Sequence, residues 1–336
     1  MSFFGLDIGS SSIKLVQLEK SKEGKLALKK FGETKTPQPG IQGQTEEQWL
    51  ELVDILKRFL EELKVTSKDV VMGLTEDEVI SRLKWFPAMK ENEVKTALEF
   101  EAETFIPHPL SKVQIDYQIV DHDEDGRLLV FVVASLKKMV KKYTEIAKMA
   151  KLNLLALETP SIALSRILAI KTVPTLIVDL ASQYSNLIAS KDGNVFLTRT
   201  VPIGVNAFLR SISVSLGLDE SVAESYRRTY GFLETELEGK VRKSMMPILD
   251  KLVEEIKKTT YSFREEWKDE IKVLVLAGGG AITPELAEEL TTKLGIEVQV
   301  ANPFSQVEFP KSTVIDVRKE GSRFGVAVGL AARGLL

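Results

Sequence analysis

The chain has 336 residues, 44% hydrophobic and 28% charged, with a formal net charge of -3 and no cysteine. This globular composition, large enough for two cores, excludes disulfides, thiol nucleophiles and thiolate zinc sites, and offers no basic balance for nucleic acid. With His108 and His122 as its two histidines, a Ser-His-Asp triad or a His-rich metal site is not expected, and chemistry must rest on carboxylates, lysines, hydroxyls and backbone amides.

The opening FGLDIGSSSIKLVQL (4–18) reads as strand, tight turn, strand: Phe4, Leu6 and Ile8 enter Asp7 and Gly9, and alternation resumes at Ile13 and Leu15. Gly9 allows close backbone approach, while Ser10, Ser11 and Ser12 offer adjacent N–H groups and hydroxyls, a concavity suited to phosphate. Lys14 adds a point charge, and Asp7 can hold magnesium through water. A hairpin with a merely polar turn would give the same letters. KLALKKFGE (25–33) follows as a third strand after a Glu23-Gly24 turn. After a Pro/Gly loop (34–44), Thr45 and Gln48 form a capping box. The helix behind it carries Trp49, Leu52, Val53, Leu56, Phe59, Leu60 and Leu63 at helical spacing. VVMGL (70–74) is a buried strand.

Residues 76–151 change character. A strand (EVISRLKWF), an acidic helix from Glu91 to Phe105, the loop FIPHPL, the strands VQIDYQIV and LLVFVVASL, and a helix from about Lys137 read as an inserted domain with its own core. In it, His108 reads as part of a rigid surface turn, Glu99, Glu101 and Glu103, which cannot all share a face, as part of a solvated helix rather than a metal site, and His122 to Asp125 as a charged hairpin turn. LNLLALETPSIALSRILA (152–169) begins as a strand and continues as a helix, with Thr159 or Ser161 at its start.

The opening pattern then returns. PTLIVDLASQYSNLIASKDGNVFLTRTVPIG (174–204) overlays residues 2–33, matching Asp7 to Asp179, Gly9 to Ala181, Ser10 to Ser182 and Leu15 to Leu187. A helix again follows, from Val205, so the chain contains an internal duplication of β-β-β-α. Two such lobes facing one another leave a cleft lined by both aspartates and both turns. A helical segment (219–267) interrupts the second copy, with Met245, Ile248, Leu249, Leu252, Ile256 and Tyr261 at core-like spacing. In KVLVLAGGGAITPELAEEL a strand meets three glycines before a helix expected to start at Thr283 and Pro284. The ending, from Gly321, is a small-residue helix that should return to the first lobe.

These residues resemble the phosphate-one, phosphate-two and adenosine motifs of the actin, Hsp70 and sugar-kinase superfamily. Within it the chain is similar to the PilM family of type IV pilus assembly proteins, relatives of FtsA. The most specific stretch is FEAETFIPHPLSKVQIDYQIV (100–120), with LETPSIALSR (157–166) and FGVAVGLAARGLL also similar. The resemblance implies an α/β, actin-like bilobed ATPase fold, a duplicated βββα core of ribonuclease H type with an inserted α+β subdomain. Its divisions would be 1–75, 152–172 and 303–336 for the first lobe, 76–151 for the insert, 173–218 and 268–302 for the second lobe, and 219–267 for the helical subdomain.

The resemblance further implies ATP and Mg2+ in the cleft. Ser10, Ser11, Ser12 and Lys14 would contact phosphates, and Ser182 and Gln183 would form the second phosphate turn. Gly278, Gly279, Gly280 and Ala281 would meet the nucleoside, Glu224 and Arg228 ribose and adenine, and Asp7 and Asp179 the metal through water. Glu158 stands near the position of the residue that orients water, although capping the next helix explains it as well. The second turn reads DLASQ rather than a glycine-rich sequence, so binding is better supported than turnover. The implied partner is the short cytoplasmic N-terminal tail of a PilN-like membrane protein, met by Phe105, Ile106, Pro107 and Leu110, with packing inside the insert as the alternative; other pilus platform proteins and self-association are further candidates. No apolar run reaches the roughly 20 residues of a membrane helix, and no leader precedes the first strand. The expected location is therefore cytoplasmic, at the inner membrane through a partner. Two other readings share the fold: a filament-forming FtsA-like division protein, whose relatives carry a C-terminal amphipathic anchor where this chain ends at Leu336, and a small-molecule kinase.

Overall fold

The computed structural model describes residues 2–310 and 320–336; the stretch 311–319 of the expected first-lobe tail lies outside them. Two mixed sheets carry the fold. The first contains β1 (Phe3–Ile8), β2 (Ser12–Lys20), β3 (Leu26–Lys35), β4 (Asp69–Gly73), β8 (Asn153–Glu158) and β14 (Val307–Glu308), in the order β14-β3-β2-β1-β4-β8. The second contains β9 (Thr175–Leu180), β10 (Ser185–Lys191), β11 (Asn194–Val201), β12 (Val273–Ala277) and β13 (Glu297–Val300), in the order β11-β10-β9-β12-β13. In both, the second and third strands follow as antiparallel neighbours on one side of the first, and the fourth and fifth strands run parallel to it on the other. The duplication read from the hairpins thus extends over whole sheets.

Parallel neighbours need a crossover, and helices supply it. α1 (Glu46–Glu62) joins β3 to β4, and its N-terminus is the expected capping box: Thr45 accepts from the Gln48 amide while the Gln48 side chain accepts from the Thr45 amide. Its apolar stripe, Leu52, Val53, Leu56 and Phe59, is buried on the first sheet. The insert comprises β5 (Val79–Phe86), α2 (Glu91–Ala102), β6 (Val113–His122) and β7 (Leu128–Leu136), its sheet ordered β5-β7-β6. α2 covers one face through Val94 and Leu98. The other face, Leu83, Leu129 and Phe131, packs toward Val195 and Phe196 of β11 in the opposite lobe, where Ser81 and Thr198 share a 2.9 Å hydrogen bond.

α3 (Lys137–Met149), grouped with the insert by the sequence reading, buries Tyr143, Ile146 and Ala147 in the first-lobe core. It is the β4-to-β8 crossover, the counterpart of α8 (Leu286–Leu294) between β12 and β13; the insert interrupts the connection before it. Between the two sheets lie α4 (Pro160–Leu168) and α9 (Gly325–Ala331), whose Ala163, Leu164, Val326 and Leu330 share a core with Ile177, Ile188 and Val275 of the second sheet. α5 (Val205–Leu216), α6 (Glu220–Thr229) and α7 (Lys240–Trp267) cover the far face of the second sheet.

Two local expectations are corrected. Tyr261 is 58% exposed, because the buried stripe of α7 runs through Ile256, Thr259 and Phe263, and a residue five positions from Ile256 points away from it. α8 starts at Leu286 rather than Thr283. The Thr283 hydroxyl instead donates to the Gly280 carbonyl at 2.8 Å and closes the glycine turn.

Candidate functional site

The two sheets open toward one cleft of about 300 Å³, at the ends of the strands that carry the two aspartates. Each first hairpin closes in the same way: the Gly9 amide donates to the Ser12 carbonyl at 3.0 Å, and the Ala181 amide donates to the Tyr184 carbonyl at 3.1 Å. Gly9 is not in the left-handed region, so alanine serves equally at the second turn. The turns meet across the cleft, Ser11 Oγ lying 2.7 Å from Ser182 Oγ.

Each turn is braced by the chain behind it. Thr36 donates from its amide to the Ser11 carbonyl and from its hydroxyl to the Gly9 carbonyl. On the other side, the amides of Val205 and Asn206 at the start of α5 donate to the carbonyls of Ala181 and Ser182, at 2.9 Å each. That approach requires Gly204, since a Cβ there would lie 2.5 Å from the Ser182 oxygen. Gly278, at φ +84, likewise leaves no room: a Cβ would lie 2.6 Å from Asp179 Oδ1.

Of the residues singled out from sequence, Asp7, Ser10, Ser11, Ser12, Lys14, Asp179, Ser182, Gln183, Glu224, Arg228, Gly278 and Gly279 line this cleft. Others do not. Gly280 and Ala281 turn into the second-lobe core, Gly280 against Leu180, where a Cβ would lie 2.3 Å from the leucine side chain, and Ala281 at 3% exposure. Glu158 lies outside the lining: its buried carboxylate receives Arg166 through two 2.8 Å hydrogen bonds and is paired with Arg333 as well. Nor does it cap α4; the Thr159 hydroxyl does, accepting from the Ile162 amide. In the insert, Ile106 is a core residue at 5% exposure with Phe105 and Leu110 packed beside it, so of the four candidate docking residues Pro107 alone is fully at the surface.

The cleft also contains residues the sequence reading passed over: Glu33, Glu76, Asn186, Thr200, Arg227 and Arg323. Asn186 was within reach of it. Lys14 and Asn186 each follow their aspartate by seven positions, and hairpins of equal turn length place both directly opposite it. Arg227 was obscured by its neighbour Arg228. It forks onto both Glu224 oxygens at 2.8 Å and also reaches Thr283, so Glu224 and the glycine turn are held together. Glu76 accepts from the amide and hydroxyl of Ser161 at the start of α4.

Burial pushes the Asp7 carboxyl above its ordinary range, with Lys14 countering. Asp179 is pushed up to about 6, by burial first and by the Asp7 charge second, with Lys14 and an Asn186 hydrogen bond opposing. An unfolded aspartate titrates near 3.8. Between about pH 4 and 6 the folded chain therefore binds more protons than the unfolded one, and Asp179 contributes stability that grows as pH falls through 6 and levels off near 4. Asp179→Asn is expected to remove that slope and to stabilise the ligand-free protein at pH 7 by about 2 kcal/mol, read from urea unfolding of both proteins at pH 4.5 and 7.

Besides burial, the Asp7 charge raises the Asp179 carboxyl, and Lys14 offsets part of the rise at both aspartates. Among the described residues no cluster of three or more His, Cys, Asp or Glu could hold a metal. Among them, too, no helix is long and apolar enough to cross a membrane.

Residues 5–335 match the family model described as type IV pilus assembly protein PilM. Among solved structures, a chain of the PilM-PilN type IV pilus biogenesis complex is 27% identical over all of this chain and 99% of that one, with a TM-score of 0.83. The ethanolamine utilization protein EutJ from Carboxydothermus hydrogenoformans is 14% identical over 98% of this chain and 89% of its own, TM-score 0.61. MreB5 of Spiroplasma citri, solved with ADP, is 12% identical over 98% and 94%, TM-score 0.55. The last two share the fold alone, and that fold is the actin-like one.

Proposed function

The chain belongs to the type IV pilus assembly PilM family, and from that premise we propose that it is a nucleotide-binding, actin-like component of the pilus assembly platform that binds the tail of a PilN-like protein. The observation that carries the nucleotide half is the convergence of both aspartate turns on one cleft, with Gly278 and Gly279 at one wall and Lys14 among the lining side chains. Backbone amides and hydroxyls of the turns would cradle phosphates, and Glu224, braced by Arg227 and Arg228, would meet the ribose and base. Asp7 and Asp179 would hold magnesium through water; when bound, the ion would neutralise phosphate charge. Glu158 is engaged by two arginines, which favours binding over hydrolysis.

For the partner, a cavity of about 220 Å³ where the insert meets α3 is better suited than the FIPHPL shoulder; it is lined by Val79, Ile80, Val113, Ala134, Leu136 and Met139, with Glu78, His108, Ser135 and Lys138 as polar groups. An apolar pocket beside the sheet's edge strands suits a short peptide with one or two apolar anchors. Held there, the protein would sit at the cytoplasmic face of the inner membrane through its partner.

Calorimetric titration of the full chain tests both halves. Wild type is expected to bind magnesium-ATP, and Asp7→Ala to weaken it by about 10- to 100-fold. The synthetic PilN tail is expected to bind wild type, and Ile80→Asp to weaken the peptide by about tenfold or more while leaving magnesium-ATP binding in place. No heat at millimolar magnesium-ATP overturns the nucleotide half; an undisturbed peptide affinity overturns the docking site.

A further inference from the structure

Antiparallel registry places Asp7 opposite Lys14 and Lys14 opposite Glu33, so three neighbouring strands carry one row of cleft residues: negative, positive, negative. The second lobe repeats the row as Asp179, Asn186 and Thr200. The third position therefore does not need a carboxylate to build the sheet. Threonine holds it in the second copy, donating to the Asn186 side chain at 3.0 Å. In the first copy Glu33 attracts two cations, Lys14 at 3.7 Å and Arg323 from the C-terminal segment. Both are neutralised before any anion arrives.

Deepening the nucleotide reading on which it rests, we propose that Glu33 makes the cleft select a polyphosphate whose charge a divalent cation has already reduced. Among the described residues five carboxylates and four cations line the cleft, so that lining, fully ionised, is net negative. A bare triphosphate must compete with Glu33 for Lys14 and Arg323, and leaves a carboxylate beside phosphate oxygens. In a walled cleft such a like-charge contact is screened far less than at an open surface. A cation-loaded phosphate chain carries less charge into the same place, and Glu33 keeps its pairing. Loss of the Glu33 charge releases Lys14 and leaves Arg323 with Glu320 as its partner at 3.0 Å, and the gain is greatest for the ligand with the most uncompensated charge.

The test measures affinity for ATP in excess magnesium and in EDTA, for wild type and Glu33→Gln. Wild type is expected to favour the magnesium form by about tenfold or more. Glu33→Gln is expected to tighten free ATP by about tenfold and the magnesium form by less than about threefold, narrowing the ratio. Inorganic triphosphate should follow free ATP, and adenosine should show no change. Glu33→Thr, which copies the second lobe's own residue, carries the measurement if the glutamine variant folds poorly. An unchanged ratio, or weaker binding of both forms, overturns the proposal and makes Glu33 a residue that merely holds Lys14 and Arg323 in place. A wild type that binds both forms equally also overturns it while leaving the nucleotide reading intact; a wild type that binds neither form overturns that reading too.

Discussion

Glu158→Ala is expected to lower the unfolding free energy by about 2–3 kcal/mol and to leave magnesium-ATP affinity within about threefold. Glu158 ends β8 with its side chain 3% exposed, and Arg166 of α4 and Arg333 beyond α9 both converge on it. Arg166 also donates to the Gly329 carbonyl at 2.7 Å, so this cluster ties the first sheet to both helices of the middle layer. Removal of the carboxylate strands the guanidinium of Arg166, which is only 20% exposed. The loss stays at the low end for a broken buried pair because Arg333 is half in water. Urea unfolding beside calorimetry reads both quantities. Unaltered stability with lost ATP turnover would restore the water-orienting role and sink the structural one.

Gly329→Ala should be as damaging through sterics alone. A Cβ at Gly329 would lie 2.1 Å from the Ala163 carbonyl oxygen and 2.5 Å from its carbon, backbone atoms of α4 that cannot swing aside. α9 must separate from α4, and overpacking of this kind costs about 3 kcal/mol. The damage should reach the cleft, since Pro160 and Leu164 of α4 and Gly325 and Val326 of α9 all line it. A lower melting temperature accompanied by weaker magnesium-ATP binding is the expected pair of results. Gly279→Ala is the control for stability: its added methyl meets nothing within 4 Å, and the fold should tolerate it within about 0.5 kcal/mol. Equal stability of the two variants would show that the middle layer can relax.

The hairpins, the capping box of α1, the duplication and the small-residue helix that returns to β1 were all legible as letters. Each depends on spacing within a few residues: alternation sets a strand's two faces, and the equal interval from Asp7 to Lys14 and from Asp179 to Asn186 sets the cross-strand partner. The same logic, carried one strand further, would have found Glu33 and Thr200. What the sequence could not determine was the choice among long-range partners. Glu158 near a cleft and Glu158 bound by Arg166 and Arg333 are written with the same residue, and only the return of the C-terminal segment decides between them. Ile106 became core, and Gly280 and Ala281 turned inward, because other elements closed over them. α3 joined the first lobe because a parallel β4–β8 pair demands a crossover helix, whatever has been inserted before it. Local spacing governs backbone hydrogen bonding and so is readable in one dimension; burial and ion pairing depend on groups brought together by the whole chain, and those only three dimensions supply.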